Sequence, residues 1–382
     1  MIYLDNAATT FPKPKKVYSA VLDCMENYGA NPGRAGHKLA MKAGRGIYEC
    51  RENISKLLNI QNPMNIVFTH NATDSLNLAI KGCVKKGDHI ITTSIEHNSV
   101  IRPIKALEQK GVEHTIVNCD ELGQLNPEDI KRAIKENTKL IVTTHASNVC
   151  GTIVDIESIG EIAKENNIIY LVDASQTIGV YDIDVQKINV DMIAAPGHKC
   201  LLGPQGTGIL YIREGLTIDI LKEGGTGSNS EELIHPNMMP DRYESGTHNT
   251  PGIVGLNEGV KFILEKGIEN IRNHEEELCS YMLEKLKEVP NIKIYGPLDS
   301  KKRAAVISIN IGDIDSGEIT YLLDDMYDIA TRSGIHCSPL AHKTLGTIIQ
   351  GTVRFSLGYF NTKEEIDQAI KALIEIENNI NI

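Results

Sequence analysis

The sequence predicts an α/β protein, with a large domain built on a mostly parallel sheet and a smaller α+β domain after it. Three observations predict this. Short apolar runs recur at 65–69 (NIVFT), 89–93 (HIITT), 139–144 (KLIVTT), 168–173 (IIYLVD) and 190–195 (VDMIAA). Longer amphipathic segments, such as 100–110 and 127–136, lie between them. The runs are apolar at consecutive rather than alternate positions, the pattern of strands covered by helices on both faces. One further strand is expected at 208–213 (GILYIR), after a glycine-rich turn.

From about residue 251 the character changes. A long helical stretch over 251–286 leads to expected strands at 292–295 and 305–310, a helix at 316–326, a strand at 352–355 and a closing helix at 363–377. The expected division is a large domain over 16–257 and a small α+β domain over 258–382, with residues 1–15 folding back onto the small one. No internal repeat or low-complexity tract is found.

The 382 residues are 41% hydrophobic, enough to bury one large core or two moderate ones. The formal net charge of -11 has the wrong sign for non-specific attraction to nucleic acid or an anionic membrane. The first residues, MIYLDNAATTFP, lack a basic region followed by an apolar run, so no secretory signal is expected. No stretch approaches ~18 uninterrupted apolar residues, so no membrane-spanning helix is expected either. Eight cysteines stand at 24, 50, 83, 119, 150, 200, 279 and 337, with no C-x-x-C pair. That argues against structural zinc or a redox dithiol and for free thiols in a reducing cytoplasm.

In an open parallel sheet, ligands sit beyond the carboxyl ends of the strands. Thr73, His97, Asn148, Asp173 and Lys199 each follow a separate expected strand or its loop. Asp173 closes IIYLVD. It reads either as the N-cap of a following helix or as a carboxylate that keeps the proton on a cofactor's ring nitrogen. Gln176 is placed to hydrogen-bond the substituents of such a ring. Lys199 lies in Pro196-Gly-His-Lys199, after an apolar strand and before Gly203-Pro-Gln-Gly-Thr-Gly208. A lone lysine is ordinarily a solvated charge, but a partly desolvated one has a lowered pKa and condenses with an aldehyde. The spacing 199 − 173 = 26 residues leaves room for one helix and one strand.

Thr73 stands at a strand-to-helix junction. It serves equally well as a plain cap or, with the free amides of the helix start, as a phosphate ligand. Asp74 would repel a phosphate, so its carboxylate has to point away. His97 reads as a loop histidine, or as an imidazole that lies over an aromatic ring and handles protons. His37, in a glycine loop, is less specific. Cys337 occurs in Arg332-Ser-Gly-Ile-His336-Cys337-Ser-Pro339. Most lone cysteines are small buried hydrophobes, but Arg332 and His336 are surroundings expected to favour a thiolate. Cys200, next to Lys199, is its rival. Arg354 is a candidate for bidentate binding of a substrate carboxylate.

At these residues the sequence resembles the class V aminotransferase group of pyridoxal-phosphate enzymes, specifically the cysteine desulfurase and selenocysteine lyase family. The resemblance runs from Tyr3-Leu-Asp-Asn-Ala-Ala-Thr-Thr10 to Arg354-Phe-Ser-Leu-Gly-Tyr-Phe-Asn-Thr362, over nearly the whole chain. It implies the type I fold of pyridoxal-phosphate transferases. It implies that Lys199 carries the cofactor covalently, that His97 stacks on its ring, that Asp173 meets the ring nitrogen, and that Gln176 and Asn148 lie near the ring oxygen. Thr73 and His198 correspond to phosphate ligands, Ala72 to a further residue of the cofactor site, and Thr247 to a residue reaching the phosphate of the other subunit, so a homodimer is implied. Arg354 corresponds to the carboxylate-binding arginine, joined in substrate binding by His37, Asn148 and Arg332. Cys337 corresponds to the cysteine that carries a persulfide.

Two departures stand out. Pro196 replaces the Ser or Thr that often precedes Gly-His-Lys, which removes a phosphate hydroxyl. The segment from Cys337 to Arg354 is short, like the type with a compact cysteine loop and a dedicated sulfur-acceptor protein. The implied reaction takes L-cysteine to L-alanine with sulfur passing to Cys337. Selenocysteine lyase or cysteine-sulfinate desulfinase chemistry on the same scaffold stays open, with transamination behind them. A non-catalytic interaction protein would be expected to lack Lys199, Asp173 or Arg354, and all three are present. A nicotinamide fold is disfavoured because no strand is followed by G-x-G-x-x-G.

Overall fold

The computed structural model describes residues 1–32, 36–228 and 231–380. The chain starts with β1 (Ile2–Tyr3), then runs through two helices, α1 (Lys15–Asn27) and α2 (Lys38–Leu58). The alternation expected from the apolar runs follows as β2 (Ile66–Thr69), α3 (Ala72–Cys83), β3 (His89–Thr93), α4 (Asn98–Glu108), β4 (Glu113–Val117), α5 (Pro127–Arg132), β5 (Thr138–Thr144) and α6 (Ile156–Glu165). It ends with three strands, β6 (Ile169–Asp173), β7 (Met192–Pro196) and β8 (Gly208–Ile212). Among the described residues these strands form one seven-stranded sheet, ordered β2-β8-β7-β6-β5-β3-β4. Only β8 runs against its neighbours, pairing antiparallel with both β2 and β7. The carboxyl ends of β2, β7, β6, β5 and β3 therefore share one edge of the sheet.

The central strands are buried over most of their length because helices cover both faces. β7 and β8 are buried at every position. Each Ile or Leu so enclosed contributes roughly 1.5–3 kcal/mol relative to an exposed one. β4 was not expected. It reads EHTIV, lies at the sheet edge and buries one residue, Val117, so it has no continuous apolar run to betray it.

The connection from β6 to β7 also departs from expectation. Residues 174–191 form turns and no α-helix, so Asp173 does not cap a helix. Ile178, Val180, Ile183, Val185 and Ile188 are buried at spacings that no single helical face would produce, and Gly179 has φ +89°.

The long helical stretch is two helices, α7 (Thr250–Lys266) and α8 (Ile268–Leu286), broken at Gly267, where φ is +82°. After them come β9 (Ile292–Tyr295), β10 (Val306–Ile311), α9 (Ser316–Tyr327), β11 (Ile329–Ala330), α10 (Pro339–Thr344), β12 (Val353–Ser356) and α11 (Lys363–Ile380). β12, β10 and β9 make an antiparallel sheet, and β1 pairs in parallel with β11, so the first residues reach the C-terminal part of the chain. A boundary at 257/258 falls inside α7, whose Val260 and Ile263 pack in the same core as the large sheet. Leu278, Met282 and Leu286 of α8 pack with β10 and α11 in a second core. No helix among the described residues is long and apolar enough to cross a membrane.

Candidate active site

Beyond the shared strand ends lies a cavity of about 160 Å³. Its lining includes Ala72, Thr73, His97, Asn148, Asp173, Gln176, His198 and Lys199. Eight of the residues singled out in the sequence thus meet in one space, although they come from five strand exits.

Asp173 is the last residue of β6, directly opposite Ala194 of β7. Lys199 follows three residues after the end of β7. The Asp173 carboxyl is buried, and its Oδ1 accepts from the N–H of Ser175 at 3.0 Å and from the Ser175 hydroxyl. Burial pushes its pKa up, opposed by the Ser175 bonds and by the charge of Lys199. Lys199 is half-buried as a residue, but its amine lies in low-dielectric surroundings. Burial first, then the charge of Arg354, pull its pKa down from 10.5 to about 8. The lysine needs a tight turn before it. A Cβ at Gly197 would strike the Thr207 hydroxyl, so only glycine fits between Pro196 and His198.

His97 caps α4. Its Nδ1 accepts from the N–H of Ser99 at 3.1 Å, which leaves the proton of the neutral ring on Nε2. Burial and the nearby Lys199 lower its pKa to about 4, so the ring is neutral near pH 7. Ser99 Oγ lies 2.7 Å from Thr73 Oγ1 and 3.0 Å from His97 Nδ1, linking the starts of α3 and α4. Asn71 caps α3 by accepting from Asp74 N–H at 2.9 Å. The Asp74 carboxylate pairs with Lys222 at 2.9 Å, outside the cavity lining, as the phosphate reading of Thr73 requires. His198 also has a pKa lowered to about 4 by burial, and its Nδ1 lies 3.1 Å from Thr9 Oγ1. Gln176 donates to the Ala7 carbonyl at 3.1 Å.

Arg354 lies on β12 and is buried. Its Nη2 pairs with Asp5 at 2.6 Å and its Nη1 donates to the Asn148 carbonyl at 3.1 Å. Its buried Nε has no partner among the described residues. Arg332 pairs with it backbone to backbone. His37 and Thr247 line no part of this cavity. His37 caps α2, accepting from Ala40 N–H at 3.3 Å, and Thr247 is exposed on a separate groove of about 530 Å³.

Cys337 is exposed; the other seven cysteines are buried or partly so. Its rival Cys200 is excluded as a thiolate, because burial raises that thiol to about 12. The expectation that His336 favours a Cys337 thiolate is overturned. The His336 ring is buried against His342 and bonded to Thr352 Oγ1 at 3.0 Å. Burial first, then the charge of Arg354, lower its pKa to about 2, so it carries no positive charge. The partners Ser99, Ser175 and Asp5 were not foreseen; Ser99 and Asp5 act on Thr73 and Arg354, distant in sequence.

The arrangement fits a pyridoxal-phosphate group on the chemistry of its own residues. A neutral-prone amine and a buried acid line the same cavity, and the acid's Oδ2 has no hydrogen-bond donor among the described residues.

A family model described as aminotransferase class-V matches residues 2–369. A protein of Methanothermobacter thermautotrophicus named probable cysteine desulfurase is 36% identical over 381 residues, covering 98% of this chain and 94% of that protein. A protein of Clostridium botulinum named cysteine desulfurase IscS is 34% identical over 397 residues, covering 98% and 94%. The solved apo structure of a cysteine desulfurase from Thermococcus onnurineus NA1 matches with a TM-score of 0.93 at 35% identity, covering 99% of this chain and 95% of that one. With its α/β architecture, its mostly parallel sheet and this match over nearly its full length, the chain belongs to the class-V aminotransferase family.

Proposed function

We propose that the chain is a pyridoxal-phosphate-dependent cysteine desulfurase that takes sulfur from L-cysteine onto Cys337. One observation carries this reading. Lys199, Asp173, His97 and the start of α3 line a single cavity, and the one exposed cysteine is tied to the helix that His97 caps. The names of the relatives support the choice of substrate.

Lys199 would hold the cofactor, Asp173 its ring nitrogen, His97 its face, Gln176 its ring oxygen, and Thr73 and His198 its phosphate, with Ala72 lining the same space. Asn148 is left out of this set, because its amide is already bonded to residues 336 and 338. When bound, pyridoxal phosphate supplies an aldehyde for the substrate amine and a ring that draws electrons from the substrate α-carbon. Lys199, with a pKa near 8, is neutral in about a tenth of molecules at pH 7 and accepts the α-proton. Arg354 would bind the substrate carboxylate through N–H groups that the bonds to Asp5 and the Asn148 carbonyl leave unused. Cys337 Sγ then bonds to the substrate sulfur while the carbon–sulfur bond breaks. The electron pair stays with the carbon fragment, which leaves as alanine after protonation.

The reading extends to assembly. Tyr18, Leu22 and Met25 on α1, with Leu39, Met41 and Tyr48 on α2, are large exposed apolar side chains. Tyr48 and Thr247 line the same groove, which supports a homodimer in which Thr247 serves the other subunit's site. The division into two bodies is kept, with the boundary moved to Gly267. All eight cysteines are free, which supports a reducing compartment such as the cytoplasm. Exposure of Cys337 leaves it open to an acceptor protein.

The test is turnover of L-cysteine, L-selenocysteine and L-cysteine sulfinate, with alanine as the common product. L-Cysteine should yield alanine and load sulfur on Cys337. Turnover of L-selenocysteine alone would contradict the reading.

A further inference from the structure

The side-chain bonds of Asn148 do not face a ring. Its Nδ2 donates to the His336 carbonyl at 2.8 Å, and its Oδ1 accepts from Ser338 Oγ at 2.7 Å. These partners are the two residues flanking Cys337. Asn148, His336 and Ser338 are all buried, so water does not replace a lost bond there.

The backbone between them is strained. His336 has φ +49° and Cys337 has φ +60°, in the left-handed region that costs free energy in any residue with a Cβ. Two such residues in succession persist only where their surroundings over-determine them. The bonds from Asn148 and Ser338 supply that constraint, together with the Asn98 N–H that donates to the Cys337 carbonyl at 2.8 Å. At its other end, Asn148 offers its own carbonyl to Arg354 Nη1 at 3.1 Å and lines the cavity. One residue therefore touches the cysteine loop, the carboxylate-binding arginine and the cofactor space.

We propose that Asn148 and Ser338 form a clamp that sets the pose of Cys337, acting as positioning residues for sulfur transfer. The inference rests on the reading of Cys337 as the sulfur carrier. Ser338→Ala removes the donor and strands Asn148 Oδ1 in a buried site, while leaving every residue assigned to the cofactor in place.

The test is single-turnover kinetics of the holoenzyme with L-cysteine, following two signals. The first is the absorbance change of the bound cofactor on substrate addition, and the second is persulfide trapped on Cys337. In Ser338→Ala the absorbance change should keep its rate within about twofold, while persulfide formation slows about tenfold or more. Asn148→Asp keeps the acceptor for Ser338 and deletes the donor to His336. It tests the other arm should Ser338→Ala not fold, and it should depress persulfide formation by a larger factor than the absorbance change. Equal losses in both signals, or no loss in either, overturn the clamp. If the wild type acts on L-cysteine yet never carries persulfide on Cys337, the reading of the cysteine falls and the clamp falls with it.

Discussion

The backbone N–H of Asn98 donates to the carbonyl of Cys337 at 2.8 Å. Asn98 is the first residue of α4 and the neighbour of His97, whose ring lines the cavity. An exposed cysteine is thereby fixed one residue from a group proposed to lie on the cofactor. The bond also satisfies one of the amides that a helix start leaves without an intrahelical partner. Cap and cysteine loop are therefore joined through the backbone.

Cysteine replacement should separate the two rivals. Cys337→Ala should abolish sulfide release from L-cysteine in the presence of a reductant, with the absorbance of the bound cofactor unchanged. Cys200→Ala should keep activity within about threefold, because the Cys200 thiol, raised to about 12, is protonated at working pH. Full activity in Cys337→Ala would refute it as the carrier.

The lowered pKa of Lys199 sets a pH dependence. The neutral amine is the reactive form, and its fraction rises with pH until the pH passes about 8. The rate at which cofactor-free protein takes up pyridoxal phosphate should therefore climb about tenfold from pH 6 to 7, bend near 8 and level above it. A climb continuing toward the ordinary lysine value of 10.5 would show that the site does not desolvate the amine. Lys199→Ala should lose the covalent absorbance altogether.

Arg354→Lys tests recognition of the carboxylate. Lysine keeps a charge but lacks the planar fork, so the bonds to Asp5, to the Asn148 carbonyl and to a substrate cannot all be made. The KM for L-cysteine should rise at least about tenfold, which is about 1.4 kcal/mol of binding. An unchanged KM would remove Arg354 from the substrate site.

Glu96 links the site floor to stability. It is fully buried just beyond β3, with Oε1 accepting from Thr93 Oγ1 and from Thr144 N–H, and with Oε2 unpartnered among the described residues. Burial raises its pKa from 4.5 to about 8. A carboxyl whose folded pKa is raised favours the folded state most at low pH, and that contribution is lost as pH rises from 4.5 through about 8. Glu96→Gln should therefore match the wild type in urea unfolding near pH 5. Near pH 8 it should be more stable, by on the order of 1–3 kcal/mol. A stability difference independent of pH would contradict this.

Much of the fold was legible because strands buried on both faces leave unbroken apolar runs, as in IIYLVD and VDMIAA. The edge strand β4 left none, having solvent on much of its surface. The break at Gly267, φ +82°, carried a sequence mark in Lys266-Gly267, a basic last turn followed by glycine, that the reading of one long helical stretch passed over. Thr73, His97, Asn148, Asp173 and Lys199 were readable from their places after strands, and all five line the cavity, together with Gln176, Ala72 and His198. The direction of a side chain was not readable. Asn148 turns its amide to the cysteine loop, and His336 turns its ring inward, where burial keeps it neutral. The first depends on a contact between residues 188 positions apart, the second on the packing of the ring against Thr352 and His342.

The most direct test of the central claim is mass analysis of the Cys337 peptide after the holoenzyme meets one equivalent of L-cysteine without reductant. The account predicts a peptide heavier by one sulfur atom and alanine formed in equal amount. Alanine without added sulfur at Cys337, or pyruvate in its place, would contradict it.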